Sequence, residues 1–198
     1  MTKFIFTIVL FLTSTFLVAQ DSKDLTISFG TGIFNSPYYS NAKQREFYNF
    51  DFDYHITNRH ILSVNFLAGH HLYYDSILSN NAVPLATPGY DKNTNSTADY
   101  FVFSFLYKYR FVDSKSFYLN AGVGAGLMLQ RKTYPYTSGN IVSFRESGWE
   151  DLVFPLKLEI GYKITKHFQT GVIGGLYIHP DYPTLGYHTG IRFGYVIK

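Results

Sequence analysis

The sequence predicts an all-β fold: one eight-stranded antiparallel up-and-down barrel that crosses a membrane. About eight segments alternate between apolar and polar residues, which is the period of a strand with two different faces. The connections between these segments alternate between short and longer ones. Aromatic residues make up 19% of the chain, and such residues favour strands and membrane interfaces.

The N-terminal residues predict a secretory signal peptide at 1–19, followed by a single barrel domain at 20–198. Lys3 gives a positive start, residues 4–18 form a nearly unbroken apolar run, and Ala19 is a small residue at the expected cleavage point. The run is short for a membrane helix and no basic stop follows it, so an uncleaved anchor is the less favoured alternative.

The first three strands are predicted at about 25–34, 48–56 and 60–73. The second shows the alternation best, because its even positions from Tyr48 to Ile56 are apolar and its odd positions are polar. The turn at 57–59 is tight, whereas the polar stretch at 75–97 has the composition of a long surface loop.

The other five strands are predicted at about 98–112, 117–130, 151–164, 167–179 and 185–198. Tight turns at 113–115 and 165–166 contrast with a second long loop at 132–148, while residues 180–183 form a brief loop. An even number of strands, with short turns at one end and longer loops at the other, is typical of outer-membrane barrels.

The alternation alone leaves open which row faces inward, because a secreted lipocalin-like binder of apolar ligands has its apolar row inside. Most strand glycines lie on the polar row, where a narrow interior needs small residues, and the aromatic row of the fourth strand would overfill such an interior. We therefore predict that the apolar row faces lipid. The predicted lipid-facing aromatic residues are Phe50, Phe52, Phe101, Phe103, Phe105, Tyr107, Tyr109, Phe154, Phe193 and Tyr195.

Charged residues on the polar row then face the lumen, where they must pair or stay hydrated. The favoured interpretation is a salt-bridge network that plugs the barrel, and the alternative is a narrow channel for small solutes. The predicted lumen residues are Asp51, Asp53, Lys108, Arg110, Lys157, Glu159, Lys163 and Arg192.

This pattern resembles the small outer-membrane β-barrel proteins of Gram-negative bacteria, the porin-like and OmpA/OmpX-like group, over nearly all of the mature chain. The Val18-Ala19-Gln20 leader end and the aromatic-rich strands resemble members from Bacteroidetes-type bacteria. The last strand resembles the C-terminal signal read by barrel-assembly machinery, although it ends in Lys198 rather than an aromatic residue. The resemblance implies an outer-membrane location, contact with membrane lipid and lipopolysaccharide, and the assembly machinery as a partner during biogenesis.

No pattern predicts an enzyme, a metal site or a cofactor. Ser104, Ser143 and Ser147 have no evident histidine and acid at matching strand height, as nucleophilic catalysis requires. His179 and His188 flank a short loop and could approach each other, but this is a weak metal pattern.

The formal charge of +3 and the absence of a basic block argue against a nucleic-acid partner. The chain has no cysteine, so neither disulfides nor thiol chemistry is expected. We expect a structural or surface-interaction protein whose long loops contact a protein partner, because loops on rigid scaffolds carry binding.

Overall fold

The computed structural model of the protein describes residues 24–37, 42–73, 96–138, 141–181 and 184–198. The predicted signal peptide and nearly all of the predicted loop at 75–97 lie outside these residues.

The described residues form eight antiparallel strands that close into a barrel in chain order. Each strand pairs with its neighbours in sequence, and β8 pairs with β1 to complete the ring. The predicted fold class is therefore confirmed. The strands are β1 Leu25–Asn35, β2 Ala42–His55, β3 His60–Tyr73, β4 Ser96–Asp113, β5 Phe117–Ser138, β6 Ile141–Lys163, β7 Phe168–Ile178 and β8 Gly186–Ile197.

We call the end with the β2–β3, β4–β5 and β6–β7 turns the turn end, and the opposite end the loop end. Two of these turns have the same construction. Thr57 and Thr165 each accept hydrogen bonds through Oγ1 from the backbone N–H groups two and three residues later, at 3.2 and 3.0 Å in both cases. The similar sequences that begin at Ile56 and Ile164 therefore fold into similar turns.

The predicted long loop at 132–148 is wrong, because most of this segment belongs to strands β5 and β6. Lys132 pairs with Ser147, and the ladder continues outward to Ser138 and Ile141. Residues 145–150 are all exposed. The sequence of this hairpin has no continuous apolar row, so its composition resembles that of a loop.

Pro155 lies where β6 changes from pairing with both β5 and β7 to pairing with β5 alone. The β5–β6 register pairs Val123 with Leu156 and then Gly126 with Val153, so the ladder is interrupted between them. Proline has no N–H to donate to a ladder, which accounts for the interruption. The pairing of β6 with β7 also begins here, at Phe154 and Ile178.

Glycines on the inner face make room for large side chains from neighbouring strands. A Cβ at Gly161 would lie 2.1 Å from Cζ of Tyr118, and one at Gly122 would lie 2.7 Å from Cγ of Lys108. The interior of an eight-stranded barrel is narrow, so large side chains fit inside it only where neighbouring positions are glycine.

Candidate functional site

Six charged side chains fill the middle of the lumen, and each is at most 5% exposed. Three are carboxylates and three are cations, so their formal charges cancel. We call them the lumen charge network: Asp51, Asp53, Lys108, Lys157, Glu159 and Arg192.

Lys108 and Arg192 each join the same two carboxylates. Lys108 Nζ lies 2.8 Å from Asp53 Oδ1 and 2.5 Å from Glu159 Oε1. Arg192 Nη2 lies 2.7 Å from Asp53 Oδ2, and its Nη1 lies 3.2 Å from Glu159 Oε2. These contacts form a closed ring of alternating charge, and Lys157 binds the remaining carboxylate, Asp51, at 2.6 Å.

Uncharged polar residues complete the hydrogen bonding of the network. Arg192 donates from Nε to Ser28 Oγ and from Nη1 to Tyr118 OH, both at 2.9 Å. Asn65 donates to Asp51 Oδ1 at 2.8 Å, and Asn120 donates to Glu159 Oε2 at 3.0 Å. These partners are not among the predicted lumen residues, and their only signal in the sequence is their place on the polar row.

Two predicted lumen residues lie outside the network. Arg110 is at its turn-end margin, where Nε donates to Asn120 Oδ1 at 3.0 Å. Lys163 is the last residue of β6, and its Nζ pairs with Asp113 and donates to Ser114 O at 3.0 Å. Lys163 is on the polar row, but its height places it at the barrel rim.

The loop-end half of the lumen is filled by apolar and aromatic side chains, which the sequence analysis did not anticipate. The Phe34 ring lies 5.1 Å from that of Tyr100 and 6.1 Å from that of Tyr177, and the Phe47 ring lies 4.9 Å from that of His188. We call this set the apolar interior layer. Its members are Phe34, Phe47, Leu67, Ala98, Tyr100, Val102, Met128, Val153, Ile173, Tyr177 and Leu185.

The aromatic residues predicted to face lipid lie on the outer surface of the barrel. Phe105 is 60% exposed, whereas Phe103 and Tyr109 are half-buried against aromatic neighbours on the same surface. The large apolar row of β4 is thus outside and the charges are inside, which is the reverse of a lipocalin-like barrel.

The histidines do not form the weak metal pattern considered from the sequence. His179 Nε2 lies 2.6 Å from Asp151 Oδ1, and its Nδ1 accepts from the Asp181 backbone N–H at 3.0 Å. His188 instead lies in the lumen beside Phe47. Within the described part of the chain, no group of three metal-ligating side chains lies together.

The β5–β6 hairpin extends beyond the barrel at the loop end. Residues 141–153 of β6 pair with β5, but among the described residues they have no strand partner on the β7 side. That stretch is roughly 40 Å long at the usual rise of a strand. The backbone edge of this stretch, where residues 145–150 are exposed, can therefore accept another strand.

A concave pocket with a volume of about 940 Å³ lies beside the base of this hairpin. Phe101 and Leu129 contribute apolar wall, while Asp99, Glu146 and Glu150 contribute carboxylates. His70 Nδ1 lies 2.5 Å from Asp99 Oδ1 within it. The hairpin thus offers both an open edge and a mixed apolar and acidic surface.

Solved structures with a similar fold are small outer-membrane proteins. The chain is similar to Ail, the attachment invasion locus protein of Yersinia pestis, with 13% identity over 89% of this chain and 99% of that chain and a TM-score of 0.56. It is also similar to the outer membrane protein OprG from Pseudomonas aeruginosa, with 12% identity over 89% of this chain and 96% of that chain and a TM-score of 0.53. The fold is that of the small outer-membrane β-barrels.

The predicted resemblance to this group is therefore confirmed at the level of fold, and the predicted outer-membrane location agrees with the names of these proteins. No protein-family model matches the sequence, and no curated protein matches it. In the described ranges, no helix is both long enough and apolar enough to span a membrane.

Proposed function

We propose that the chain is a non-enzymatic outer-membrane protein that presents the β5–β6 hairpin as an interaction surface. The barrel serves as its anchor, with the loop end facing the cell exterior and the turn end facing the periplasm. The observation that carries this proposal is the open backbone edge of β6 over residues 141–153.

The contents of the lumen support an anchor rather than a channel. Both the lumen charge network and the apolar interior layer lie across the interior, and each is made of buried side chains. A solute would have to break buried ion pairs in one and separate packed rings in the other. Ser104 is held as a structural group, because its hydroxyl donates to Oδ1 of Asn65 at 3.3 Å and Asn65 in turn donates to Asp51 of the network.

The edge of β6 suits a partner that adds a strand. Main-chain hydrogen bonds supply affinity in this mode, and alternate side chains supply specificity. Residues 145–150 carry one arginine, Arg145, against two carboxylates, Glu146 and Glu150, while the neighbouring Asp151 is already in contact with His179. Charges on an edge discourage pairing between identical edges, so this segment favours an extended partner with basic side chains.

One similar structure is Ail of Yersinia pestis in complex with the heparin analogue sucrose octasulfate, with 13% identity over 88% of this chain and 98% of that chain and a TM-score of 0.56. A sulfated ligand is not the partner that we propose here, because the edge segment 145–151 is acidic.

The outer row of apolar side chains is proposed to contact membrane lipid and, at the loop end, lipopolysaccharide. We also propose that residues 1–19 are a cleaved signal peptide and that barrel-assembly machinery inserts the chain. These proposals follow from the fold and from the sequence pattern.

Amide hydrogen exchange on the barrel in lipid nanodiscs tests the open edge. The probes are two designed extended peptides, one alternating lysine with valine and the other alternating glutamate with valine. We expect the basic peptide to slow exchange over residues 145–151, because added-strand hydrogen bonds protect these amides, and the acidic peptide to leave exchange unchanged.

The matched variant replaces residues 134–145 with Asn-Gly, so that Thr133 and Glu146, which face each other in the register, close a two-residue turn. This variant should still migrate as a heat-modifiable barrel, but because its open edge is shortened to residues 146–153, the basic peptide should protect it more weakly. Equal protection by both peptides, or none with either, would contradict the proposal.

A further inference from the structure

A polar cavity of about 520 Å³ opens at the turn end of the barrel, on the other side of the lumen charge network from the apolar interior layer. This volume is within the usual range for small-molecule sites. We call it the vestibule. Its charged lining, apart from the terminal residue, consists of Asp24, Arg110, Asp113, Lys115, Lys163 and Lys166.

The vestibule has an excess of positive charge, because four of these side chains are cationic and two are carboxylates. Asp113 is engaged by Lys163. Among the described residues, neither Lys115 nor Lys166 forms an ion pair. Two lysine charges are therefore left for a ligand at the rim.

Arg110 supplies the directional group on the inner side of the cavity. Its side chain is almost completely buried, its Nε donates to Asn120 Oδ1 at 3.0 Å, and its guanidinium lies 5.3 Å from the centre of the Tyr118 ring. Its Nη1 forms an ion pair with Asp113 Oδ1 at 3.7 Å, which is longer than a hydrogen bond, so its N–H groups can still donate to a ligand. Within the described part of the chain, its Nη2 has no hydrogen-bond partner.

The guanidinium of Arg110 lines the cavity, and its planar fork matches two oxygens of a phosphate. We propose that the vestibule binds a phosphate dianion, held in a bidentate manner by Arg110 and attracted by Lys115 and Lys166. Such an anion can be free phosphate or the phosphate of a lipid head group at the barrel mouth. This site is at the opposite end of the molecule from the hairpin and is independent of the proposed function.

The inner wall of the site is fixed by the network itself. Asn120 accepts from Arg110 and donates to Glu159 Oε2 at 3.0 Å, so Arg110 is held in place from behind. A ligand that binds only the folded barrel raises its stability by mass action. Phosphate should therefore raise the unfolding temperature as well as give a binding signal.

The direct test is calorimetric titration of inorganic phosphate into the full chain in a maltoside detergent, which has no phosphate of its own. The titration is done at mildly alkaline pH, where the dianion dominates. We expect saturable binding, weakened about tenfold by Arg110→Gln through loss of the bidentate contact. Lys166→Gln, at an exposed turn, should weaken binding about two- to threefold, and this second variant keeps the test valid if Arg110→Gln fails to fold.

Arg131→Gln is the matched control, since it removes one positive charge from the exposed surface far from the vestibule. Its affinity for phosphate should equal that of the unaltered chain. The proposal is overturned if phosphate does not saturate, or if Arg131→Gln weakens binding as much as Lys166→Gln and Arg110→Gln do, because the attraction would then be a diffuse charge effect.

Repeating the titration in phospholipid nanodiscs distinguishes the two sources of phosphate. Unchanged affinity for free phosphate assigns the site to a free anion. Loss of phosphate binding in nanodiscs, with Arg110→Gln reducing the retention of anionic lipid, assigns it to a head group. Loss of phosphate binding without that lipid effect contradicts the proposal.

Discussion

Lys108 is the residue on which the lumen charge network depends most directly. It is fully buried and pairs with both Asp53 and Glu159. Removal of one partner from a buried ion pair is costly because the opposite charge stays buried without compensation. Here one truncation would affect two carboxylates.

We expect Lys108→Ala to lower the free energy of unfolding by about 3–5 kcal/mol. Urea unfolding of the barrel in lipid vesicles measures this change. Lys115→Ala, on an exposed turn, is the control and should change the free energy by less than about 0.5 kcal/mol. A similar small effect at Lys108 would mean that the ion pairs are not formed in the membrane.

Gly161 offers a second test at this scale, because it touches the ring of Tyr118. Gly161→Ala would place a Cβ 2.1 Å from Tyr118 Cζ, so the ring must move and its hydroxyl must leave Arg192. We expect a loss of about 1–3 kcal/mol in the same urea assay. At Gly174 the nearest heavy atom is 3.6 Å away, so Gly174→Ala should be tolerated, and equal losses at both positions would refute the packing argument.

Sequence reasoning placed the charged residues of β2, β4, β6 and β8 on one row because strand alternation decides the face of a residue. The positions of Lys163 and Arg110 along the barrel axis could not be predicted, because they depend on the register between strands that are distant in sequence. Sequence reasoning also missed Phe34 and Phe47. A single apolar residue on the polar row of one strand gives no clear signal in the sequence. Only the assembled barrel shows that several such residues, from different strands, pack together in the lumen.

The turns are the elements for which sequence and structure correspond most closely. Thr57 and Thr165 each satisfy two backbone N–H groups through the same hydroxyl geometry. We expect Thr57→Val and Thr165→Val each to lower the free energy of unfolding by about 1 kcal/mol, because the hydroxyl acceptor is lost while the shape is kept. Urea unfolding measures both, and the account of a shared turn fails if only one of them is destabilised.

The β5–β6 hairpin is the element that sequence reasoning misjudged. Its sequence has no continuous apolar row, so the composition of 132–148 matched a surface loop. What extends the strands is the pairing of β5 with β6 itself, from Lys132 and Ser147 outward to Ser138 and Ile141. Pairing between two segments without a regular apolar alternation leaves little trace in hydropathy.

For the whole molecule, the two interior layers predict two separate obstacles to conduction. Glu159→Ala removes a carboxylate from the lumen charge network but leaves the rings of the apolar interior layer packed. We therefore expect this variant to show no conductance in planar bilayers. Combining it with Phe47→Ala and Tyr177→Ala should produce conductance steps, and steps from Glu159→Ala alone would show that the apolar layer does not close the lumen.

We propose that this barrel is a closed anchor whose function lies outside the lumen. Planar-bilayer recording of the mature chain, with heat-modifiable migration checked on the same sample, tests it most directly. We expect a folded, inserted barrel without discrete conductance steps. Reproducible single-channel steps from the folded unaltered chain would contradict it and would favour the narrow channel instead.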